Sequence, residues 1–275
     1  MGGLTIWISI DFEGLASTVS WQQDHGSRES EFRRMMTAEA NAAIAGAKEA
    51  GATRIIVNDS HDQMLNLIPE ELDTDAELVI GSPKPLSMLE GIDIGVDGAF
   101  FVGYHAASGT LRGTMDHTYS NRAVLNVWIN GRRVGETGIN AGVCGALGVP
   151  VLLVSGDNAA AREARDLLGE EVVTVTVKES VGKFAARCLH PARARELLRE
   201  GAARAVRERE RIKLFRFEPP YRFEIELAQT AMADMAELVP FSRRVDGRRL
   251  VYEDEDYIRG FRALRAMIAL AYGAV

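Results

Sequence analysis

Leu4-Thr5-Ile6-Trp7-Ile8-Ser9-Ile10-Asp11-Phe12-Glu13-Gly14 decides the reading of this chain. Its first seven residues are rich in β-branched side chains with polar ones interspersed, which predicts a strand. Two acids follow directly. Asp11 and Glu13 stand two apart, so an extended backbone turns both carboxylates to one side, and Gly14 then lets the chain bend away. The apolar run ends too early for the core of a signal peptide or for a membrane span. No targeting segment is expected. Cys144 and Cys188 are the only thiols, and neither sits in a pair spaced for a disulfide framework or a zinc finger. The reducing cytoplasm is the simplest setting.

Outward from this strand, β-like runs alternate with helical ones. Residues 29–50 are rich in Ala, Glu and Met and stop at Gly51, a natural helix terminator. Strands are predicted at 53–57, 77–80, 98–102, 150–154 and 172–177, and Asp157 offers an N-cap for an Ala- and Arg-rich helix ending at Gly169. Between them, 124–129 and 132–134 flank Asn130-Gly131, the dipeptide suited to a type I′ hairpin. The fold class expected is α/β, three-layered, with a mostly parallel sheet and one antiparallel hairpin. Past about Lys183 the texture changes to a long charged helix from Pro191, a strand at 223–227, a short helix, a hairpin around Asp246-Gly247 and a closing helix. The division expected is a metal-binding catalytic α/β domain over 1–182 and a smaller α+β domain over 183–275.

Acidic residues outnumber basic ones, 39 to 32, for a formal charge of −7. That balance argues against a protein that must hold a phosphate backbone, and nucleic acid is not expected as a partner. The basic run 204–213 is interleaved with Glu208 and Glu210, as on a solvated helix face.

In open α/β sheets, ligands bind beyond the carboxyl ends of the strands. There this sequence places Asp11 and Glu13, then Asn58-Asp59-Ser60-His61, then Gly103-Tyr104-His105, and, leaving the Asn-Gly hairpin, Gly135-Glu136. Singly, each has an ordinary explanation, an acid as a turn or cap residue and a histidine as a half-exposed side chain. Together they are harder to dismiss, because the chain has only 5 histidines and His61, His105 and His117 all follow core strands or sit in the segment after one. Asp11, Glu13, His61, His105 and Glu136 are the candidate metal ligands. Three carboxylates would leave a single dication with a net negative centre, whereas two dications leave it positive and able to bind hydroxide. Asp11, at the end of a rigid strand, is the choice for a bridging carboxylate. His117, in Met115-Asp116-His117-Thr118, is the candidate for moving protons or hydrogen-bonding an oxyanion, with a further nitrogen ligand as its alternative. His25 and His190 lack such context, and His190 precedes Pro191 where capping is the ordinary role. Cys144 lies among small residues and reads as buried and structural rather than as a nucleophile.

These motifs resemble the D-aminopeptidases of the bacterial dipeptide-transport type, which are binuclear zinc peptidases. Ser9-Ile10-Asp11-Phe12-Glu13-Gly14 is similar to the family's Ser-x-Asp-x-Glu-Gly, and Asn58-Asp59-Ser60-His61, Gly103-Tyr104-His105-Ala106 and the segment from Gly135-Glu136 to Asn140-Ala141 are similar to its other metal and pocket segments. Similarity continues through 150–157, Val177-Lys178 and Cys188-Leu189-His190-Pro191, and fades beyond about Lys213. The resemblance implies two zinc ions on the five ligands, His117 as the catalytic histidine, release of N-terminal D-amino acids such as D-alanine from short peptides, and a ring-shaped homodecamer with its sites facing an internal channel.

Two other readings stand beside the peptidase. A two-metal hydrolase of a phosphoester or a non-peptide amide would use the same cluster, and Arg112 and Arg122 near His117 keep it open. Against it, the chain has no GxxxxGKS/T or GxGxxG segment. A soluble peptide-binding protein with a structural metal is the third reading. Structural zinc prefers a closed, Cys-rich set, and three carboxylates with two imidazoles suit an open site better.

Overall fold

The opening segment becomes the strand around which the chain is organised. The computed structural model describes residues 3–24 and 26–274, so His25 lies outside the described residues. The elements are β1 (Leu4–Ile10), α1 (Glu29–Glu49), β2 (Ala52–Asp59), β3 (Ala76–Val79), β4 (Gly98–Tyr104), β5 (Val124–Ile129), β6 (Arg132–Val134), α2 (Glu136–Ala146), β7 (Val151–Asp157), α3 (Asn158–Leu168), β8 (Val173–Gly182) and β9 (Ala185–Cys188). They continue with α4 (Pro191–Arg207), β10 (Tyr221–Leu227), α5 (Thr230–Ala236), β11 (Arg243–Arg244), β12 (Arg249–Asp254) and α6 (Tyr257–Tyr272).

A seven-stranded sheet has the order β3-β2-β1-β4-β7-β8-β9. Its neighbours are parallel from β3 through β8, and only β9 runs antiparallel. The α/β class and mostly parallel sheet expected from the alternating pattern are therefore present. The chain leaves β1 for β2 and β3 on one side, then returns to the other side of β1 as β4. This reversal opens a crevice at the carboxyl ends of β1 and β4, where open α/β sheets hold their ligands.

Strand periodicity sends alternate side chains of β1 to two cores. Ile6, Ile8 and Ile10 join Phe32, Met36, Ala40 and Ile44 of α1 and Leu198 and Ala202 of α4. Trp7 points into the other core, shared with Ile139 and Val143 of α2, Phe223 and Ile225 of β10, and Phe261 and Leu264 of α6. Helices therefore cover one face of the main sheet, while the other face is covered by helices and a second sheet.

That second sheet is five-stranded and antiparallel, in the order β11-β12-β10-β5-β6. The β5–β6 turn has Asn130 at φ 51° and Gly131 at φ 77°, the pair of positive angles a type I′ turn requires. The sheets partition the chain differently from a cut at 182/183. Strand β9 extends the main sheet and α4 packs in the α1 core, although both follow that point, whereas β5 and β6 precede it and pair into the second sheet. Strand β10 accepts β5 across nearly a hundred residues because each leaves an edge the other satisfies.

Candidate metal centre and active site

The crevice between β1 and β4 is closed at its base by backbone contact. The Asp11 amide donates to Val102 O at 2.8 Å and the Gly14 amide to Gly103 O at 2.7 Å. A Cβ on Gly14 would meet Tyr104 O at 2.1 Å, and one on Gly103, whose φ is +70°, would meet Asp11 O at 2.2 Å. Only glycine fits either position, and the approach brings the acids that leave β1 against the histidine that leaves β4.

Each site residue is positioned by its own device. Lys178 on β8 is 2% exposed, and its ammonium donates to the carbonyls of Glu13, Leu15 and Thr18 at 2.5, 2.9 and 2.6 Å, gathering the loop after β1. The Asp59 carboxylate accepts from the amides of Asn66 at 2.6 Å and Leu67 at 2.8 Å, folding the turn that carries His61. Asp157 caps α3 by accepting from Ala159 and Ala160 through Oδ1, and its Oδ2 accepts from the Thr114 amide at 2.7 Å. The His117 loop is thereby tied to β7. Met115 and Tyr119 on either side of His117 both have positive φ, at 53° and 57°, a conformation costly for side chains of their size. Glu136 is the first residue of α2, where the helix dipole favours its negative charge, and its Oε1 accepts from the Tyr119 amide at 2.7 Å.

The six candidate residues converge, all between 1% and 8% exposed. His61 Nδ1 lies 3.1 Å from Glu13 Oε2 and 3.5 Å from Asp11 Oδ1. His105 Nε2 lies 3.5 Å from Asp11 Oδ2 and 3.3 Å from Glu136 Oε1. His117 Nε2 is 3.7 Å from both Glu13 and Glu136, and its ring stacks on His105 with centroids 4.0 Å apart.

The outer nitrogens fix how the rings are used. His105 Nδ1 donates to Ala106 O at 3.1 Å, His117 Nδ1 to Met115 O at 2.9 Å and His61 Nε2 to Asp24 at 2.8 Å. In a neutral imidazole the other nitrogen then carries a lone pair, and all three lone pairs point at carboxylates. Asp11 Oδ2, Glu13 Oε2 and His105 Nε2 are buried without a hydrogen-bond partner among the described residues. Acceptor facing acceptor in a water-poor pocket is costly unless positive charge stands between them. Asp11, Glu13 and His105 each offer a donor atom within 4.8 Å of the others, as do His105, His117 and Glu136. The residues present fit divalent cations.

Crowding of buried charge displaces the proton affinities of these groups in opposite directions. Burial and then the neighbouring Glu13 raise Asp11 to about 8. Burial alone would raise Glu13, but the His61 imidazole holds it well below the usual carboxylate range. Burial opposes a charge on His105, yet Glu136 pushes it up to about 10. His117 differs, because burial and the adjacent His105 both lower it. Its ring is the one suited to remain neutral and exchange a proton.

Sequence reasoning missed Trp21 and Asp24, and reached Lys178 only within the family-like pair Val177-Lys178, without a role for it. The Trp21 indole donates to Glu13 Oε1 at 2.7 Å and meets the His117 ring edge-on at 5.3 Å. It stands in an irregular stretch with no periodicity to flag it. Cys144 is fully buried and burial raises its thiol, which suits packing rather than nucleophilic attack. His190 caps α4, accepting from the Ala192 amide at 3.2 Å. Arg112 and Arg122 are both exposed, unlike the buried cluster, which takes support from a phosphate-binding reading.

The pattern of the D-aminopeptidase family matches residues 4–266. A D-aminopeptidase of Bacillus subtilis (strain 168) is 39% identical over 273 residues, covering 98% of both chains. A solved structure described as a Zn-dependent D-aminopeptidase DppA from Bacillus subtilis, a self-compartmentalizing protease, superposes with a TM-score of 0.94 at 36% identity, again over 98% of each chain. The likeness does not stop near Lys213, where the recognisable motifs thin out. It runs through the second sheet into α6, which contributes core packing through Phe261 and Leu264. The chain belongs to the D-aminopeptidase family.

Proposed function

We infer that the chain is a metal-dependent aminopeptidase that hydrolyses the N-terminal amide bond of short peptides beginning with a D-amino acid such as D-alanine. The observation that carries this is the convergence of three carboxylates and three inward-facing imidazole lone pairs in one buried crevice of a D-aminopeptidase fold. We assign Asp11, Glu13, His61, His105 and Glu136 as the ligands of two divalent ions, zinc by the description of the solved relative. Bound there, such ions supply Lewis acidity, which polarises a carbonyl and brings the pKa of water down towards about 7.

The chain supplies the rest. His117, held by Met115 O through Nδ1, presents Nε2 to the crevice. That atom can take the proton released as water attacks and return it to the leaving amine. Trp21 covers Glu13 and His117 and keeps bulk water from the reacting end. Carboxylates at the blind end can also hold the substrate's free ammonium group.

We further assign a cytoplasmic setting and a homodecamer whose sites face an internal channel. No helix among the described residues is long and apolar enough to cross a membrane. The relative's description as self-compartmentalizing supports assembly, as do the strongly exposed Leu238 and Phe241. Sedimentation at assay concentration reads the subunit count.

The deciding experiment incubates zinc-loaded protein with D-alaninamide and L-alaninamide and follows ammonia release. Release from the D amide in excess over the L amide is expected. Equal rates, or none from either, would overturn the reading. Elemental analysis should find two zinc ions per chain, and Glu136→Ala or His105→Ala should lose both metal and hydrolysis.

A further inference from the structure

Beyond the metal crevice lies a cavity of about 620 Å³, lined by Ser20, Trp21, Gln22, Gly26 and Phe184. Its walls are mostly aromatic and apolar. Trp21 belongs to two places at once, because its indole N–H holds Glu13 at 2.7 Å while its ring faces the cavity. The ring also meets His117 edge-on at 5.3 Å. The cavity therefore shares a wall with the reacting centre.

Phe184 extends the wall that Trp21 begins, its ring in edge contact with the indole at 5.7 Å. It is 55% exposed, an unusual state for a phenylalanine, and it sits in the tight turn between β8 and β9. That turn is anchored. The Met115 amide donates to Lys183 O at 2.7 Å, and the Lys183 ammonium pairs with Asp116 Oδ1 at 3.1 Å. Both partners belong to the loop that carries His117, so Phe184 is fixed in register with the catalytic histidine rather than left on a loose tip.

An exopeptidase receives the amino-terminal residue at its blind end and lets the rest of the chain trail outward. Here the blind end is the cluster of buried ligands, and the cavity lined by Trp21 and Phe184 adjoins it across Trp21. Resting on the aminopeptidase reading, we propose that this cavity is the subsite for the residue after the scissile bond, and that it selects an apolar or aromatic side chain there. Phe184 is the specificity-determining residue. In edge contact, Trp21 and Phe184 form one continuous apolar wall of the cavity, against which an apolar or aromatic side chain can lie and which glycine would leave wet.

The test compares zinc-loaded wild-type enzyme and Phe184→Ala on D-alaninamide, D-alanyl-glycine and D-alanyl-L-phenylalanine. The wild-type protein is expected to favour the phenylalanine dipeptide over the glycine dipeptide by about tenfold or more in kcat/KM, the scale on which an apolar pocket discriminates. In Phe184→Ala that preference should collapse, chiefly through a rise in KM for the phenylalanine dipeptide, and Phe184→Leu should restore part of it. L-Phenylalaninamide should also perturb intrinsic tryptophan fluorescence more than glycinamide does, a difference that Phe184→Ala removes. An equal loss on all three substrates would mark Phe184 as structural and overturn the proposal, as would an unchanged preference. If wild-type enzyme cleaves none of the three, the aminopeptidase reading itself fails and takes this one with it.

Discussion

The Asp24 carboxylate accepts a 2.8 Å hydrogen bond from His61 Nε2, which leaves Nδ1 of the same ring facing Glu13 Oε2 at 3.1 Å. One contact on the outside of the crevice thus decides which nitrogen points inward. A carboxylate behind a ligating histidine fixes its tautomer and raises its basicity, and removing such a partner commonly weakens metal binding by about 10- to 100-fold. Asp24→Ala should show this in a competition titration against a chelator, with the fold intact by circular dichroism. Zinc affinity equal to that of the wild-type protein would mean that His61 needs no such support.

Lys178 offers a prediction about stability. Its ammonium satisfies three backbone carbonyls of the loop that carries Glu13, in surroundings that exclude water. Burial lowers its pKa to about 8, with Asp157 working the other way. Lys178→Met keeps the length of the side chain and removes every donor. Leaving buried acceptors unpaired costs about 1–3 kcal/mol each, so a loss of at least about 3 kcal/mol in urea unfolding is expected. A loss below about 1 kcal/mol would show that water replaces the ammonium without difficulty.

How far the sequence could be read follows from what each residue answers to. Asp11, Glu13, His61 and His105 stand beyond strands, and strands announce themselves by local composition, so these four of the six candidate residues could be picked out. His117 was reachable because the chain has only 5 histidines, and Glu136 because it leaves the Asn130-Gly131 hairpin. The role of Lys178 was not, although Val177-Lys178 resembles the family, because its partners lie some 160 residues away. Trp21 and Asp24 belong to a loop without periodicity. The same limit applies to the fold. Each strand of the second sheet has a local pattern, but the pairing of β5 with β10 joins residues about 100 apart. That is why a boundary drawn from texture at 182/183 cuts across both sheets.

Glu39 sets a pH dependence that can be signed in advance. It lies on α1, 1% exposed, with one oxygen accepting from the Ala16 amide at 3.0 Å and the other without a partner among the described residues. Burial raises its pKa to about 7, against an ordinary value of 4.5. Between those values the native state keeps a proton that the unfolded chain has released, so stability falls as pH rises through this window. The contribution is fully present below 4.5 and gone above about 7, amounting to roughly 3 kcal/mol at about 1.4 kcal/mol per pKa unit. Glu39→Gln cannot ionise. Its stability relative to wild type should therefore rise with pH from about 4.5 to 7 and then level off. A difference that stays flat across the window would place the Glu39 pKa near its ordinary value.

His117 and His105 stack face to face at 4.0 Å, yet they should respond differently to substitution. His105 Nε2 has no hydrogen-bond partner among the described residues and sits 3.3 Å from Glu136 and 3.5 Å from Asp11, so losing it removes a candidate ligand atom from the middle of the cluster. His117 Nε2 stands farther from its neighbours, 3.7 Å from Glu13 and Glu136, with its ring in edge contact with Trp21. As a proton carrier it should matter to turnover and little to metal. His117→Gln is expected to retain wild-type zinc content while kcat on D-alaninamide falls by about 10²- to 10⁴-fold, the range for losing a positioned acid–base group. The pH profile supplies a second readout, since the limb that reports His117 should vanish with the ring. If the variant instead loses zinc in parallel with activity, as His105→Ala should, then His117 is a ligand, and the proton must travel by another group.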